Sequence, residues 1–231
     1  MMVIEERVLD DWRFLLRDLE DVTSGDLLGR DLVFRGQRVS DWGLVTSFDR
    51  RASGSLKRRN ERFTLCMEQF KTDAAHILPN ALPLGDLISL AQHYGLPTRV
   101  LDWSYSPYIG LFFAETEAVS TNQTKPAALW IMNRKKVSEE IDENEFVFVE
   151  YSDRKDDRIL SQKGLFSMLK IDQDDLEAFF REKKIPGLLR KVTITPNCFE
   201  PLSRHLRAMD LGSGPIDFGR FAWFAATKTE R

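Results

Sequence analysis

Residues 91–114, AQHYGLPTRVLDWSYSPYIGLFFA, place a helix end, a tight turn, a short strand and a second helix in one run. Apolar residues at helical spacing predict a helix from Leu84 to His93. Gly95 suits the left-handed residue that ends such a helix, and Pro97 prevents the helix from continuing. The β-prone residues from Thr98 to Trp103 predict a strand. The rest of the chain is expected to support this run.

Polar and aromatic residues separate the apolar elements of this run. Ser106-Pro107 is typical of an N-cap followed by proline at the first helical position, which predicts a helix from Pro107 to Ala118. Side chains of these two kinds between apolar elements are what a small-molecule pocket requires. Alternatively, Arg99 and Asp102 form a satisfied local ion pair and Trp103 belongs to the core. The candidates are His93, Tyr94, Thr98, Arg99, Asp102, Trp103, Ser104 and Tyr105.

The composition is that of a soluble globular protein. The 231 residues are 42% hydrophobic and carry a formal net charge of −3, which argues against a broad nucleic-acid-binding face but not against a local basic groove. Cys66 and Cys198 lie far apart without metal-ligand spacing, so neither a disulfide nor a zinc site is expected. No signal peptide or membrane-spanning run is recognisable. We therefore expect a cytoplasmic protein that uses no metal.

Periodicity predicts the remaining elements. An amphipathic pattern from Val3 to Val22 indicates an N-terminal helix. A long helix is predicted from Leu56 to Leu78, and its Lys57-Arg58-Arg59 run is interpreted as a solvated face rather than a basic patch. Without an internal repeat or linker, a single α+β domain is the simplest account. The other predictions are strands at Leu32–Phe34, Ala127–Met132, Phe146–Tyr151, Gly164–Ile171 and Leu188–Thr195, and helices at Asp172–Lys184 and Pro196–Met209.

Arg35-Gly36-Gln37 directly follows the first of these strands. An arginine at a strand end can bind a phosphate bidentately, and a glycine beside it allows a ligand to approach the backbone. A surface turn is the alternative for an isolated Arg-Gly pair.

Several of these stretches together resemble the FRG-domain family, which is named for its Phe-Arg-Gly motif. The resemblance extends from Leu32 to Met168. Members of the FRG-domain family are similar to proteins in bacterial defence and toxin settings. It implies one FRG-type domain over residues 1–231, with an N-terminal helix at 1–30, a motif-bearing core at 32–171 and a C-terminal extension at 172–231. The matching stretches are Phe34-Arg35-Gly36-Gln37, QHYGLPTRVLDW at 92–103, Ser106-Pro107, Phe112-Phe113-Ala114 and QKGLF at 162–166.

A weaker resemblance is to ADP-ribosyltransferases, which carry three dispersed motifs on a split β-sheet. It implies a split, mixed sheet flanked by helices and NAD as substrate. Breaking the bond between nicotinamide and ribose builds positive charge on the ribose, so such an enzyme must fix the phosphates, the nicotinamide and the ribose hydroxyls. The implied catalytic residues are Arg35, His93 and Gln162. The implied NAD contacts are Arg35, Gly36, Gln37, Tyr94, Thr98, Trp103, Ser104 and Tyr105.

The third motif departs from the usual glutamate. Gln162 can hydrogen-bond a hydroxyl but cannot take a proton, and Glu150 is the alternative carboxylate if it is not simply a solvated strand end. Asp102 is expected to orient Arg99 or His93. The leading hypothesis is an NAD-dependent ADP-ribosyltransferase-like enzyme or NAD glycohydrolase, acting as a bacterial toxin or antiphage effector.

Two other classes of function stay open. One is a non-catalytic module that binds a nucleotide or a partner protein. The other is a metal-dependent nuclease using His93 and Asp102, which the missing carboxylate cluster disfavours. The expected partners of an enzyme are NAD, a protein or nucleic-acid acceptor and an inhibitor protein, with no membrane.

Overall fold

The computed structural model describes residues 3–14, 17, 30–75, 82–116, 118–119, 121–150 and 164–209. The strands within these ranges are β1 (Glu5–Leu9), β2 (Leu32–Gln37), β3 (Leu101–Ser104), β4 (Ala127–Asn133), β5 (Phe146–Glu150), β6 (Gly164–Leu169) and β7 (Leu189–Ile194). They form one open sheet in the order β1-β7-β4-β2-β3-β6-β5. β1 and β7 are parallel, whereas the other neighbours are antiparallel. The predicted α+β fold with a mixed sheet is confirmed.

Helices cover both faces of this sheet. They are α1 (Leu56–Asp73), α2 (Leu84–His93), α3 (Pro107–Glu115), α4 (Arg134–Glu140), α5 (Leu176–Lys183) and α6 (Phe199–Ala208), the last preceded by a 3₁₀ turn at Pro196–Cys198. None of the helices in the described ranges is long and apolar enough to cross a membrane.

The central strand β4 is buried on both of its faces. Its even-numbered apolar residues, such as Trp130, pack in one cluster with α5, and its odd-numbered ones, such as Leu129, pack in another with α3 and α6. A near-continuous apolar run is what a strand covered on both faces requires. The prediction that this strand is buried on both sides is confirmed.

The predicted elements outside the N-terminus are confirmed, with shifts of a few residues at their ends. α2 has the predicted bounds, but the helix predicted from Asp172 begins at Leu176. The later start follows from Asp175, whose carboxylate accepts hydrogen bonds from the backbone of Glu177 and Ala178 and so caps the helix. The last residues of the long helix predicted to end at Leu78 and the C-terminal extension from residue 210 onward fall outside the described residues.

The predicted N-terminal helix is wrong at residues 5–9, which form the edge strand β1. Five residues of β1 pair in register with β7, so that Glu5 faces Arg190 and Leu9 faces Ile194. Residues 6–8 are exposed and Leu9 is buried, as fits a strand at the edge of the sheet. Pairing with a strand almost two hundred residues away outweighs the local helical pattern.

The sheet has a narrow seam between β2 and β3. β2 is registered with β4 along six residue pairs, but with β3 only through Phe34 and Ser104. The two strands therefore diverge after one registered pair, and the second half of β2 is registered with β4 alone. The described strands form one continuous mixed sheet, in which the two halves meet at this pair.

Candidate functional site

The three sequence blocks of the proposed site lie on neighbouring strands. β2 carries Arg35, β3 ends at Ser104, and β6 begins at Gly164, two residues after Gln162. Phe34, Ser104 and Gly164 form one row across these strands. Two strand spacings amount to about 10 Å, so blocks 130 residues apart in sequence are brought within the reach of one ligand. Gln162 itself lies outside the described residues.

Arg35 lies inside β2 and not at its end, which corrects the sequence interpretation. Its side chain lies at the seam, where Nη1 donates to the backbone carbonyl of Asp102 and pairs with the carboxylate Oδ1, both at 2.9 Å. The Arg35 side chain is 13% exposed, whereas that of Asp102 is 42% exposed. The buried Nε of Arg35 has no hydrogen-bond acceptor. A buried donor without an acceptor is costly, so the Arg35 guanidinium has one N–H that remains available to a ligand.

A second guanidinium stands near Arg35. Burial and the charges of Arg35 and Arg51 lower the pKa of Arg50, and only the carboxylate of Asp102 acts in the opposite direction. Arg50 Nη1 donates to the carbonyl of Val45 at 2.9 Å. The positive charges of Arg35 and Arg50 thus act on each other while the Asp102 carboxylate offsets them, and such a site is suited to an additional anion.

Gly36 is required by helix packing and not by the approach of a ligand. A Cβ at this position would lie 1.9 Å from the carbonyl oxygen of Gly110 and 2.4 Å from the backbone nitrogen of Ala114, both in α3. Gln37 is likewise occupied: its side-chain Nε2 donates to Gly43 O at 3.1 Å and its Oε1 accepts from Trp130 Nε1 at 2.6 Å. Both residues, predicted to contact NAD, instead fix the two elements that frame Arg35.

Most of the predicted Thr98–Ser104 corner is also buried in internal contacts. Thr98 has no exposed surface and accepts a hydrogen bond from Gln92. Trp103 is 3% exposed, packs in the core and donates its indole N–H to Ser167 Oγ at 2.8 Å. Ser104 Oγ accepts from the backbone of Ser106 at 3.0 Å. The core alternative for Trp103 therefore fits the structure, which leaves Asp102 as the corner's more open polar side chain.

Arg99 belongs to a buried charge network and does not pair with Asp102. Arg99 Nε donates to both carboxylate oxygens of Asp49, at 3.1 and 3.2 Å, and its Nη1 donates to Asn60. Arg59 Nη1 binds Asp49 at 3.1 Å and also Asp174 at 3.1 Å. Arg59 is thus buried, contrary to the expected solvated face. The sequence gave no signal for this network because its members are spread over the chain.

A small polar cavity lies beside the network, lined by Thr46, Asp49, Arg99 and Ser167 among others. Its volume of about 10 Å³ suffices for one water molecule and not for a nucleotide. The Asp49 network joins α1 to the residues at the start of β3, and it thereby stabilises one of the two strands that border the seam.

His93 and Tyr94 lie at the exposed end of α2. Their rings meet edge to face with centroids 5.4 Å apart, and Tyr94 also contacts Phe70 of α1 at 6.1 Å. Tyr94 is 61% exposed. The contacts seen for this pair are with α1, so the structure gives no support for placing His93 or Tyr94 beside Arg35.

Tyr105 lies near Arg30, Arg134 and Glu150, at the edge of the sheet where β3 and β5 end. The guanidinium of Arg30 is 5.4 Å from the Tyr105 ring centroid, and burial raises the pKa of the phenol. Arg134 Nη2 pairs with Glu150 Oε1 at 2.6 Å. Glu150 is 62% exposed and already neutralised, which weakens its candidacy as the third-motif carboxylate.

The comparisons with known proteins agree with the sequence motifs. The family model of the FRG domain matches residues 30–123, which cover α1, α2, α3, β2 and β3. Residues 30–123, which include the Phe-Arg-Gly motif, are therefore similar to the FRG domain. No curated protein and no solved structure shows a significant match. Across the described residues, no cluster of three His, Cys, Asp or Glu side chains has the geometry of a metal site.

Proposed function

We propose that this chain is an NAD-dependent, ADP-ribosyltransferase-like enzyme of the bacterial cytoplasm that serves as a toxin or antiphage effector. Arg35 and Arg50 bind the pyrophosphate of NAD at the seam. Tyr105 and the residues around Gly164 lie toward the ribose and nicotinamide. The observation that supports the proposal is the row Phe34, Ser104, Gly164, because these residues belong to the three sequence blocks and pair across neighbouring strands.

The charges at the seam support the binding of a pyrophosphate. Arg35 is held by Asp102, which is the more exposed partner, and the buried Arg35 Nε lacks an acceptor. A phosphate oxygen would complete the donors of the guanidinium and would compete with the carboxylate for Nη1. Arg50 adds a second cation, so a dianionic group would be better neutralised than it is by Asp102 alone.

The proposed reaction requires the protein to bind and orient NAD more than to transfer protons. NAD as substrate supplies the ADP-ribosyl group, and its glycosidic bond to nicotinamide is the bond that breaks. The protein must hold the phosphates and the ribose in one orientation while positive charge develops on the ribose. Gln162 can orient a hydroxyl but cannot act as a base. The reaction proposed is therefore release of nicotinamide with transfer to water or to a nucleophile that needs little activation.

Two substitutions at Arg35 test this proposal. We expect Arg35→Ala to weaken NAD binding about 10- to 100-fold, the effect of losing a charged hydrogen bond of about 1.5–3 kcal/mol. Arg35→Lys keeps the charge but not the bidentate donor, so this variant should fold and should retain only part of the affinity for NAD. Isothermal titration gives binding, and chromatographic detection of nicotinamide gives turnover, both with and without a chelator.

Arg204→Ala is the matched control because this arginine is exposed on α6, away from the seam. It should bind NAD like the wild type. A folded Arg35→Lys protein with wild-type affinity and turnover would refute the assigned role of Arg35.

The second candidate is a non-catalytic nucleotide- or partner-binding module. It is favoured by the Arg134–Glu150 ion pair, which engages the one described carboxylate proposed for the third motif. NAD binding that depends on Arg35, without any release of nicotinamide, would establish this alternative over the enzyme.

A further inference from the structure

The segment from Arg50 to Arg62 forms a strongly basic surface next to the seam. Its solvent-exposed charged residues comprise five cations and one carboxylate, Glu61, in a chain whose net charge is −3. We call the five cations the basic rim; they are Arg50, Arg51, Lys57, Arg58 and Arg62. The only other charged residue of the segment, Arg59, is buried in the Asp49 network.

Within the described part of the chain, none of the five cations of the basic rim forms an ion pair. By contrast, exposed arginines elsewhere do so: Arg7 with Glu5, Arg181 with Glu6 and Glu177, and Arg204 with Glu200. The described carboxylates at the start of α1, Asp172 and Asp174, pair instead with the buried Arg59. The rim cations therefore remain available to an external anion.

The rim is one continuous surface despite its two backbone elements. Arg62 Nη1 reaches back to the carbonyl of Ser53 at 3.4 Å. The side chain of Arg58 lies over Gly54, with its Cδ 3.6 Å from where a glycine Cβ would stand. Arg58 and Arg62 are four residues apart and so share one face of α1. Both therefore lie over the loop that carries Arg50 and Arg51.

The rim is also continuous with the seam. The loop that carries Arg50 packs against the residues just before β3, where the backbone N–H of Phe48 donates to Thr98 O at 3.3 Å and Asp49 pairs with Arg99. An anion that follows the rim from Arg62 to Arg50 is thereby led toward β3, the strand that carries Asp102. The length of the rim, a loop and more than a turn of helix, exceeds what one phosphate group can cover.

We propose that the basic rim binds the sugar–phosphate backbone of a nucleic-acid strand and leads it to the seam. Consecutive phosphates match a row of unpaired cations, whereas a phosphopeptide offers one dianion. One exposed apolar side chain, Leu65, lies beside the rim on α1. Peripheral membrane binding uses a whole apolar face together with cations, so an anionic membrane is disfavoured. This inference adds a candidate acceptor to the proposed enzyme, but binding itself does not require NAD.

The test uses the whole chain without NAD and fluorescein-labelled 20-nucleotide probes of single-stranded DNA, single-stranded RNA and duplex DNA. Fluorescence anisotropy at about 50 mM salt should show binding of at least one probe. The double variant Arg58→Glu, Arg62→Glu should bind that probe about tenfold more weakly or worse. Its plot of log affinity against log salt should also become shallower by about 1.4 for a single strand, the value for two lost phosphate contacts.

The control variant is Lys135→Glu, Arg204→Glu, which changes the net charge by the same amount at two exposed positions outside the rim. It should retain at least half of the wild-type affinity. Equal losses in the two double variants, or no binding of any probe by the folded wild type, would overturn the proposal. So would tighter, rim-dependent binding to anionic lipid vesicles than to every oligonucleotide.

NAD titration of the same two variants separates this inference from the proposed function. Neither Arg58 nor Arg62 contacts the seam residues, so NAD binding should be unchanged in both. Oligonucleotide binding without any NAD binding would leave the rim established and the enzyme rejected, and the reverse result would reject the rim alone.

Discussion

Gly36→Ala tests whether the glycine of the Phe-Arg-Gly motif serves packing or ligand approach. In the structure, a methyl group at this position would meet three backbone atoms of α3, the nearest of them Gly110 O at 1.9 Å. Real Cβ contacts are essentially never shorter than 3.0 Å. α3 would therefore have to move away from β2 by about 1 Å or more, which would loosen the contacts among Phe34, Leu111 and Leu129 in the core.

The expected cost is about 3 kcal/mol or more, because overpacking usually costs about 1–3 kcal/mol and here the obstacle is backbone rather than a movable side chain. For a chain of this size, that corresponds to a fall of about 6–12 °C in Tm. Gly110→Ala is the matched comparison in the same contact. Its nearest obstacle is the side-chain tip of Leu129 at 2.7 Å, which can move, and alanine favours the helix by about 1 kcal/mol over glycine. Its loss of stability should be clearly smaller.

Thermal unfolding followed by circular dichroism measures both variants, and NAD titration below the transition measures the site. We expect Gly36→Ala to be less stable than Gly110→Ala. The NAD affinity of Gly36→Ala should fall only as far as β2 is displaced. A Gly36→Ala protein with the wild-type Tm that loses all NAD binding would refute the packing argument. It would restore the interpretation in which the glycine leaves space for a ligand.

Two further predictions concern buried charges. Asp49→Asn removes the carboxylate shared by Arg59 and Arg99, so it should destabilise the protein by about 3–5 kcal/mol and lower Tm by about 6–20 °C. A Tm within about 2 °C of the wild-type value would contradict the stabilising role of this network. Burial against α6 raises the pKa of Glu115 from 4.5 to about 7, so the neutral form of this carboxyl is favoured in the folded state. The contribution of Glu115 to stability is therefore full below about pH 4.5, and it falls by about 3 kcal/mol as the pH rises to about 7. Glu115→Gln should remove this fall, which is measured as a flatter curve of Tm against pH between about 5 and 8; parallel curves for variant and wild type would contradict the assignment.

Local sequence signals predicted the elements whose structure depends on neighbours in the chain. The helix Leu84–His93 has the predicted bounds, because apolar spacing and the following Gly95 and Pro97 determine it locally. The buried strand β4 was equally predictable from its continuous apolar run. The same logic failed at residues 5–9, where pairing with β7 overrides a helical periodicity.

The candidate site was predictable in its residue types but not in its contacts. The motif stretch pointed to Arg35 and to the corner near Asp102, and the structure brings these two together. It could not indicate that Arg99 pairs with Asp49 instead, since partners 50 residues apart leave no periodic trace. Nor could it show that α3 occupies the space next to Gly36, or that the loop carrying Arg50 packs against the residues just before β3.

The sequence by itself determined the positions of most helices and strands, the FRG motifs and the surplus of cations between residues 50 and 62. These properties reside in short stretches, where spacing and residue type are sufficient. Only the tertiary structure decided the strand order, the single Phe34–Ser104 pair at the seam, and which of the polar residues are buried in ion pairs. Such contacts join distant segments, and their free energies depend on burial and geometry that no local pattern specifies.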